Sequence, residues 1–443
     1  MHRAELNFLI DPFLTFKRVK KGYSMLLDSR YQLKDYGDYS IIGFNPKIIL
    51  KQVNGEIYIT EDNKDFKREG TFLDVLDYYL DLYKKPKSDL IFDGGFIGYL
   101  SYDLGMDLCK IKRKNKASTN IPEAFFAYYD EFIIIDHKNN TTIINTKDFD
   151  VVNLLKNIEE EYKIDNYIGN LELTSNFTKE EYKKGVERVR EYIRQGEVYQ
   201  VNISQQFYAK GFINPYDAYA ILRRANYGPY NAFLEVDGGF ILSTSPEQFI
   251  RKRGEYITTR PIKGTTKRSY DKEENEKLKK MLLESEKIKS ELLMIIDLER
   301  NDLSKICYPG TVEVKNLFEV EEYATVNHLV STIQGKLLDD IKFSDIIKAM
   351  FPGGSITGAP KLRSMEVIEE IENMSRGIYT GSIGYISNNG NFDFNIAIRT
   401  VVIDENGLYY NVGGGIVWDS DPEDEYEETL HKGRAIYSTF STK

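Results

Sequence analysis

An acid and an amine lie near the ends of one predicted β-hairpin. The stretch FILSTSPEQFIRKRGEYITTRPIKGTTKR, residues 240–268, is strand-like on both sides of Gly254, as is typical of a hairpin turn. If the chain folds there, Glu247 lies opposite Ile262 or Lys263, with about 5 Å between Cβ atoms. Such a pair can act together as proton donor and nucleophile. The alternative is an exposed cross-strand salt bridge, which contributes little to stability.

The residues beside the acid and the amine favour a chemical role. Lys263 follows Pro261-Ile262 and precedes Gly264, in a place where proline fixes φ and glycine admits close approach of another group. Glu247 lies at a break in the strand pattern. We therefore treat Glu247 as a candidate acid and Lys263 as a candidate nucleophile.

Two features of the C-terminal part of the chain are suited to binding anions. Arg399 lies within the predicted strand FNIAIRTVVI, residues 394–403, where an unpaired guanidinium is costly, so an anion partner is the economical explanation. Gly413, Gly414 and Gly415 allow consecutive backbone N–H groups to face a second carboxylate, as in an anion nest. The alternative for the three glycines is a tight bulge.

Carboxylates occur at defined positions on two predicted helices. In the last helix, residues 421–437, Glu425 and Glu428 are three residues apart and therefore share a face. Acids early in a helix are usually only partners of its dipole. On the long amphipathic helix predicted for residues 271–300, Glu291 lies at the edge of the apolar stripe.

The elements that must position these groups form two predicted regions. Residues 1–170 alternate short apolar runs with turn residues and form a β-rich region. Residues 171–443 carry the candidate groups and begin with a helix on which Thr178 and Glu181 are spaced as a capping box. The charged stretch 154–167 predicts a surface helix or a linker near the boundary.

Charge and cysteine content exclude several classes of function. The chain of 443 residues has a formal charge of −10 at pH 7, which argues against nucleic-acid and anionic-membrane partners. Cys109 and Cys307 lie in no metal-binding or disulfide pattern, which fits a reducing compartment. No segment approaches the ~18 uninterrupted apolar residues of a membrane span, and the N-terminal residues include charges. We expect a soluble, unexported, cytoplasmic protein.

A glycine-rich stretch, FPGGSITGAPKLRSMEVIEEIE at residues 351–372, enters a predicted helix and invites comparison with a phosphate-binding loop. A Walker motif requires Gly-Lys-Ser/Thr after four spacer residues. Here Gly358 is followed by Ala359, Pro360 and Lys361 instead. The stretch is therefore not a phosphate-binding loop of that kind.

These motifs together resemble those of the chorismate-utilising enzymes, which include anthranilate synthase component I, isochorismate synthase and salicylate synthase. The resemblance covers most of the chain and is weaker before Asn176. It implies an α+β fold in which two antiparallel β-sheets pack face to face with helices outside, an α/β/β/α sandwich, with the two regions interleaving in one globule. The matching segments are SPEQF, RPIKGT, ELLMIIDLERNDL, VNHLVSTIQG, SITGAPK, IYTGSIG and EYEET.

The resemblance implies roles for individual residues. Glu291 and Glu428 match Mg²⁺ ligands, with Glu425 as an outer or water-mediated contact, and the metal would hold and polarise the ring carboxylate of chorismate. His328 matches a histidine that forms a hydrogen bond near the leaving group. The implied substrate-binding residues are Thr357 and Gly358 beside the ring, Tyr379 and Arg399 at the enolpyruvyl carboxylate, and Gly413, Gly414 and Gly415 at the ring carboxylate.

Lys263 indicates one branch of the family. The lysine of PIKGT resembles the aminodeoxychorismate branch, whereas the other branches have alanine there. Gln200 stands where the water-adding branches have the lysine that activates water, and glutamine cannot act as a base at neutral pH. The resemblance thus implies amination of chorismate at C4 for para-aminobenzoate and folate synthesis. In this scheme Lys263 forms a covalent adduct at C2, and Glu247 is the general acid.

Two alternatives remain open at this point. The first is anthranilate synthase component I, which Lys263 disfavours. The second is a non-catalytic amino-acid-sensing protein of the same fold, which the joint presence of Glu247, Glu291, Glu428 and Arg399 disfavours.

The chain lacks any glutaminase pattern, since neither of its cysteines has a matching histidine. We therefore expect a separate glutamine amidotransferase subunit that supplies ammonia. The segments LLDS and DYSIIG resemble elements that line a regulatory tryptophan pocket in the anthranilate branch. Asp28 replaces the glutamate of that branch, which argues against feedback binding.

Overall fold

The computed structural model describes residues 1–29, 36–62, 64–86, 88–155, 162, 164, 171–226 and 228–441. Within these residues the chain forms 24 strands and 11 α-helices. The strands, in chain order, are β1 (His2–Leu6), β2 (Met25–Asp28), β3 (Tyr39–Gly43), β4 (Ile48–Val53), β5 (Glu56–Glu61), β6 (Lys64–Arg68), β7 (Gly95–Leu100), β8 (Ala124–Tyr129), β9 (Phe132–Asp136), β10 (Thr141–Thr146), β11 (Thr174–Ser175), β12 (Gln200–Lys210), β13 (Tyr230–Val236), β14 (Gly239–Ser245), β15 (Gln248–Arg253), β16 (Tyr256–Arg260), β17 (Ile262–Lys267), β18 (Glu313–Glu322), β19 (Val326–Lys336), β20 (Gly358–Ala359), β21 (Ser382–Ser387), β22 (Phe392–Asn395), β23 (Thr400–Asp404) and β24 (Gly407–Ile416).

The helices lie between these strands, and a short 3₁₀ turn covers Gly354–Ile356. None of the helices in the described part of the chain is long and apolar enough to cross a membrane. The α-helices are α1 (Pro12–Val19), α2 (Phe72–Leu82), α3 (Tyr102–Leu108), α4 (Phe149–Leu155), α5 (Lys179–Arg194), α6 (Pro215–Ala225), α7 (Lys272–Glu284), α8 (Glu286–Ser304), α9 (Phe343–Met350), α10 (Lys361–Ile371) and α11 (Pro422–Phe440).

The strands form two antiparallel sheets of twelve strands each. Sheet I has the order β1-β10-β9-β3-β2-β13-β14-β23-β24-β12-β11, and β20 also pairs with β12. Sheet II has the order β17-β19-β16-β15-β22-β21-β7-β8-β4-β5-β6, and β18 also pairs with β19. Each sheet therefore contains strands from before residue 170 and strands from after it.

The two sheets pack face to face, and helices cover their outer faces. Alternate residues of a strand point to opposite faces, so Phe125, Ala127 and Tyr129 of β8 pack in the core between the sheets, with Ile41 and Ile134 of sheet I. A second core joins the outer face of sheet II to α2, α8 and α9, and a third joins the outer face of sheet I to α1, α6 and α11. The predicted α/β/β/α sandwich of two antiparallel sheets is confirmed.

The predicted hairpin is shorter than the sequence suggested. The turn at Gly254 is confirmed, but only β15 and β16 form the hairpin. β14 belongs to sheet I, and β17 pairs with β19 rather than with β15. The ladder of the hairpin therefore ends before Lys263, because Pro261 separates β16 from β17.

Two other predicted elements are interrupted. The helix predicted for residues 271–300 is two helices, because Ser285 caps α8 by accepting a hydrogen bond from the N–H of Ile288 (3.3 Å). The strand predicted for residues 394–403 is divided into β22 and β23, so Arg399 does not lie inside a strand. The helix or linker predicted for residues 154–167 lies largely outside the described residues.

Candidate active site

Two adjacent crossovers between the sheets form the centre of the candidate site. The chain passes from β14 in sheet I to β15 in sheet II at Glu247, and from β22 in sheet II to β23 in sheet I through Arg399. Backbone hydrogen bonds join the crossovers, from Ile396 N to Glu247 O (3.0 Å) and from Thr244 N to Arg399 O (3.0 Å). Glu247 and Arg399 therefore lie on neighbouring connections at which the chain crosses from one sheet to the other.

Glu247 is a buried carboxyl group, only 4% exposed. Its Oε1 accepts hydrogen bonds from Ser355 Oγ (2.8 Å) and from the N–H of Ile262 (3.4 Å). Burial raises the pKa of Glu247, and the hydrogen bonds together with the charge of Lys263 only partly oppose this. A carboxyl group with a raised pKa retains its proton to higher pH, as a general acid requires.

Lys263 is a half-buried residue whose amine has no carboxylate partner among the described residues. Its Nζ donates to the backbone carbonyl of Ser355 (3.4 Å) and forms no ion pair within the described part of the chain. Burial lowers the pKa of Lys263, and the negative charge of Glu291 opposes this effect. The structure therefore does not contain the cross-strand salt bridge that was the alternative for Glu247 and Lys263.

Ser355 connects the acid with the amine, because its hydroxyl binds Glu247 and its carbonyl accepts from Lys263. The motif analysis did not select this residue. The available signal was a serine in the glycine-rich loop that also holds Thr357 and Gly358. Because both contacts join segments distant in sequence, only the folded chain reveals them.

Thr357 and Gly358 shape this loop. The Thr357 hydroxyl donates to the carbonyl of Gly353 (2.9 Å), so its hydrogen is used within the loop. Gly358 has φ +144°, and a Cβ there would lie 2.1 Å from the carbonyl oxygen of Gln200. Only glycine allows this approach of the loop to β12. Direct contact of either residue with substrate remains a prediction.

Two of the three predicted acidic ligands, Glu425 and Glu428, border Gly414, and the charge of Glu428 acts on the third, Glu291. Glu425 accepts from Ser420 Oγ (2.6 Å), and Glu428 pairs with Lys432 (2.6 Å). The Glu291 carboxylate has no hydrogen bond or ion pair with any described residue. Burial and, to a lesser degree, the charge of Glu428 raise the pKa of Glu291. A carboxylate of this kind, close to a second one, is suited to a cation.

Magnesium fits this set of ligands. No group of three or more His, Cys, Asp or Glu side chains in the described ranges is arranged to hold a metal by itself. Mg²⁺ usually binds through one or two carboxylates and completes its shell with water and substrate oxygens. Glu291 and Glu428 provide two carboxylates from separate helices, and Glu425 lies near Glu428 beside Gly414.

Gly413, Gly414 and Gly415 do not form an anion nest, so this prediction of their geometry was wrong. None of them has φ in the left-handed region, and all three lie in β24, paired with β12. They form a floor without side chains. A Cβ would lie 2.9 Å from Tyr379 Oη at Gly413, 3.2 Å from Glu425 Oε2 at Gly414, and 3.5 Å from Lys263 Nζ at Gly415.

His328 is a neutral hydrogen-bonding group. Its Nδ1 lies 2.9 Å from Thr265 Oγ1 and 3.3 Å from the carbonyl oxygen of Gly264, which can only accept. Burial and the charge of Arg399 lower the pKa of His328 to about 3. The proton therefore lies on Nδ1 when Gly264 is the partner. Nε2 is buried without a partner in the described structure and can accept a hydrogen bond from a ligand.

Tyr379 and Arg399 provide two unused hydrogen-bond donors. Neither the Tyr379 hydroxyl nor the Arg399 guanidinium has a hydrogen-bond partner among the described residues. Arg399 also has φ +50°, a conformation that is concentrated at functional sites in residues other than glycine. Burial lowers the pKa of Arg399, and Tyr323 and Glu247 oppose this. An anion from a ligand would satisfy both donors.

Lys432 and Arg376 are further charged groups that the motif analysis did not select. Lys432 donates to the carbonyl of Gly413 (3.2 Å) and pairs with Glu428, one helical turn earlier. The spacing of residues 425, 428 and 432 places them on one face of the helix, and this spacing was the available signal. Arg376 forms a buried ion pair with Glu372 (2.7 Å) and lies over the ring of Tyr379 (5.7 Å). It supports the turn that carries the tyrosine.

A separate cavity of about 350 Å³ lies beside β2 and β3. The two N-terminal segments that resemble a regulatory pocket contribute to its wall, including Asp28 and Asp38. Asp28 is buried and pairs with Arg223 (2.7 Å), while Tyr219 donates to it (3.1 Å). Its charge is therefore partly neutralised within the protein.

The chain is similar to known proteins over nearly its whole length. The family described as chorismate binding enzyme matches residues 6–438. The chain is 37% identical to aminodeoxychorismate synthase component 1 of Escherichia coli (strain K12), over 94% of this chain and 92% of that protein. It is 35% identical to anthranilate synthase component 1 of Acetivibrio thermocellus, over 96% of this chain and 92% of that protein.

Solved structures agree as well. The crystal structure of anthranilate synthase component I from Streptococcus pneumoniae TIGR4 is 30% identical, has a TM-score of 0.80, and is matched over 97% of both chains. The match thus extends over both sheets and over the crossovers that carry Glu247 and Arg399. With a family match over nearly its whole length, the chain belongs to the chorismate binding enzymes and is a chorismate-utilising enzyme.

Proposed function

We propose that this enzyme aminates chorismate at C4 with ammonia and forms 4-amino-4-deoxychorismate for para-aminobenzoate and folate synthesis. The observation that carries this proposal is the half-buried amine of Lys263, which has no ion-pair partner among the described residues. Its hydrogen-bond acceptor is the carbonyl of Ser355, whose hydroxyl binds the buried acid Glu247. The similarity to aminodeoxychorismate synthase component 1 of Escherichia coli supports it.

The first half-reaction would use Lys263 as nucleophile and Glu247 as acid. The Nζ–C2 bond forms, the two ring double bonds each shift by one position, and the C4–O bond breaks. Glu247 gives its proton to the departing hydroxyl group, which leaves as water. The lysine nitrogen keeps both hydrogens and becomes a positively charged secondary amine.

The second half-reaction reverses the shift of the double bonds. Ammonia attacks C4, the C2–Nζ bond breaks, and Lys263 leaves as a neutral amine. A proton from solvent restores Glu247. The net change is chorismate plus ammonium to the aminated product plus water. The adduct blocks C2 during the reaction, which explains why nitrogen is added at C4.

The remaining side chains would bind and orient chorismate. Tyr379 and Arg399, whose donors are unused, would hold the enolpyruvyl carboxylate. The Nε2 of His328 would accept a hydrogen bond near C4. We also propose that Glu291 and Glu428 hold Mg²⁺, with Glu425 as an outer contact, and that the bound metal polarises and fixes the ring carboxylate.

The test of the function is turnover of the purified chain with chorismate, Mg²⁺ and ammonium, with products identified by mass and ultraviolet spectrum. The proposal expects 4-amino-4-deoxychorismate with its pyruvyl group retained. Anthranilate as the main product would support the anthranilate synthase alternative, and no turnover would support the non-catalytic alternative.

The same assay tests the source of ammonia. We propose that a separate glutamine amidotransferase subunit supplies it, since the chain has no glutaminase pattern. Glutamine alone should therefore give no product with the purified chain. Efficient use of glutamine by this chain would contradict the proposal of a partner subunit.

Glu291→Gln and Glu428→Gln are each expected to weaken Mg²⁺ binding at least about tenfold, because an amide oxygen lacks the charge of a ligand carboxylate. Turnover should fall sharply at limiting Mg²⁺. Calorimetric titration of Mg²⁺ in the presence of chorismate, with assays across Mg²⁺ concentrations, measures both effects.

Glu284→Gln is the matched control for these variants. Glu284 lies seven residues before Glu291, is exposed, and pairs only with Lys280 (3.5 Å) among the described residues. It should bind Mg²⁺ as the unchanged protein does. Wild-type activity of either ligand variant at limiting Mg²⁺ would show that the ligand assignment is wrong.

A further inference from the structure

The side chain of Gln200 is a buried polar group with no hydrogen-bond partner among the residues that the structure describes. The residue begins β12 and is 0% exposed. Both Oε1 and Nε2 are buried, and neither forms a hydrogen bond with any described residue. Its backbone is fixed, since the carbonyl of Gln200 accepts from Ser364 Oγ (3.0 Å). An unsatisfied buried amide destabilises the fold, so its retention requires a reason.

The position of this amide suggests the reason. A Cβ on Gly415 would lie 2.5 Å from Gln200 Nε2 and 3.5 Å from Lys263 Nζ. The amide and the amine therefore border the same space above the floor of β24. Because neither amide atom bonds to a described residue, a half turn about the last side-chain bond can present Oε1 to Nζ without breaking any hydrogen bond that the structure shows.

We propose that Gln200 is a positioning residue for Lys263: its Oε1 accepts one hydrogen of Nζ and directs the nitrogen lone pair towards the substrate. A neutral amine has two hydrogens and one lone pair. The Ser355 carbonyl already accepts from Nζ (3.4 Å). If Gln200 accepts the other hydrogen, both N–H bonds of the amine are fixed in direction. The lone pair then occupies the one remaining position around the nitrogen. This inference rests on the proposed function, in which Lys263 attacks C2.

The same contact would stabilise the transition state more than the ground state. When the Nζ–C2 bond forms and the C4–O bond breaks, the nitrogen keeps both hydrogens and gains positive charge. Hydrogen bonds to charged groups are stronger than those to neutral ones. Gln200 and Ser355 therefore bind the nitrogen more tightly as the adduct forms, which raises kcat and leaves the KM for chorismate nearly unchanged.

The test compares Gln200→Met with the unchanged protein. Methionine has a similar length and no comparable acceptor. The enzyme is mixed with chorismate and Mg²⁺ without ammonium, and the reaction is quenched after set times. Mass spectrometry of the intact protein then detects the adduct as an increase equal to the mass of chorismate minus that of water. Gln200→Met should form the adduct and turn over about ten- to a hundredfold more slowly, with KM for chorismate within about twofold.

Thermal stability gives an independent readout. Because Gln200→Met removes two unsatisfied buried polar atoms, its Tm should rise while kcat falls. Gln205→Met is the matched control: Gln205 is also 0% exposed on β12, but it donates to Thr429 Oγ1 (2.6 Å) and accepts from Ser175 Oγ (2.8 Å). The control should lower Tm and form the adduct at the wild-type rate.

The outcomes separate this inference from the function on which it rests. If the unchanged protein forms no adduct, the covalent route of the proposed function is wrong, and the inference falls with it. If the unchanged protein and Gln200→Met form the adduct equally fast, only the inference is overturned. A raised KM with unchanged kcat, or a lowered Tm for Gln200→Met, would also overturn it.

Discussion

Lys263→Ala is expected to lower the rate of 4-amino-4-deoxychorismate formation by about a thousandfold or more, because the nitrogen that attacks C2 is removed. The substitution also opens space beside Gly415, which lies next to Nζ. Ammonia can then reach C2 directly, so some product aminated at C2 should appear. Chromatography of the products, with rates for each, measures both effects.

Two further lysine variants make this test specific. Lys263→Arg keeps a long side chain with hydrogen-bond donors, but its guanidinium stays protonated and cannot act as the nucleophile, so this variant should be as inactive at C4 as the alanine variant. Lys267→Ala is the matched control, because Lys267 lies on the same strand and is exposed. If the alanine variant forms the C4 product at the wild-type rate, or if Lys263→Arg remains active, Lys263 is not the nucleophile.

Local sequence signals predicted the structure well where partners are close in the chain. The capping box of Thr178 and Glu181 is present. The turn at Gly254 joins β15 and β16, with Arg253 paired to Tyr256. Each of these features depends on residues only a few positions apart. Their identity alone was therefore sufficient.

Signals that depend on distant partners were less informative. The break at Ser285 could have been read as a cap, but the apolar stripe continued across it and favoured one helix. The strand around Arg399 appeared continuous because β22 and β23 are both apolar, although they belong to different sheets. No local pattern marks the point at which a chain leaves one sheet for the other.

The candidate site shows the same difference between features that neighbouring residues determine and features that distant partners determine. The motifs selected Glu247, Lys263 and Glu291. In the structure the charge of Lys263 acts on both glutamates and opposes the rise in their pKa that burial causes. The motifs did not select Ser355 or Lys432, because what marks these residues is a contact made only after folding. The glycine triplet was assigned a nest from its composition, whereas its pairing with β12 keeps it extended.

Glu247→Gln is expected to lower kcat by about 10²- to 10⁴-fold, the usual contribution of a general acid. The amide fills the same space and can keep the hydrogen bond from Ser355, so the fold should be retained. It has no acidic proton to give to the departing hydroxyl group. Single-turnover assays should show slow adduct formation, since loss of water belongs to the first half-reaction.

The pH profile distinguishes the loss of an acid from a change in shape. Catalysis requires neutral Lys263, whose pKa burial lowers, so activity should fall on the acid side as the lysine gains a proton. It also requires protonated Glu247, whose pKa burial raises, so activity should fall on the alkaline side as the proton is lost. The profile of kcat/KM is therefore bell-shaped in the unchanged protein. In Glu247→Gln the alkaline fall should disappear.

Glu299→Gln is the matched control for the acid. Glu299 is also buried, at 4% exposure, and accepts from Thr259 Oγ1 (2.8 Å). Burial raises its pKa to about 8, so it is already uncharged at pH 7 and its amide should change activity little. If Glu247→Gln keeps the alkaline limb and most of its activity, Glu247 is not the acid. Protonation of the hydroxyl group would then have to come from another donor.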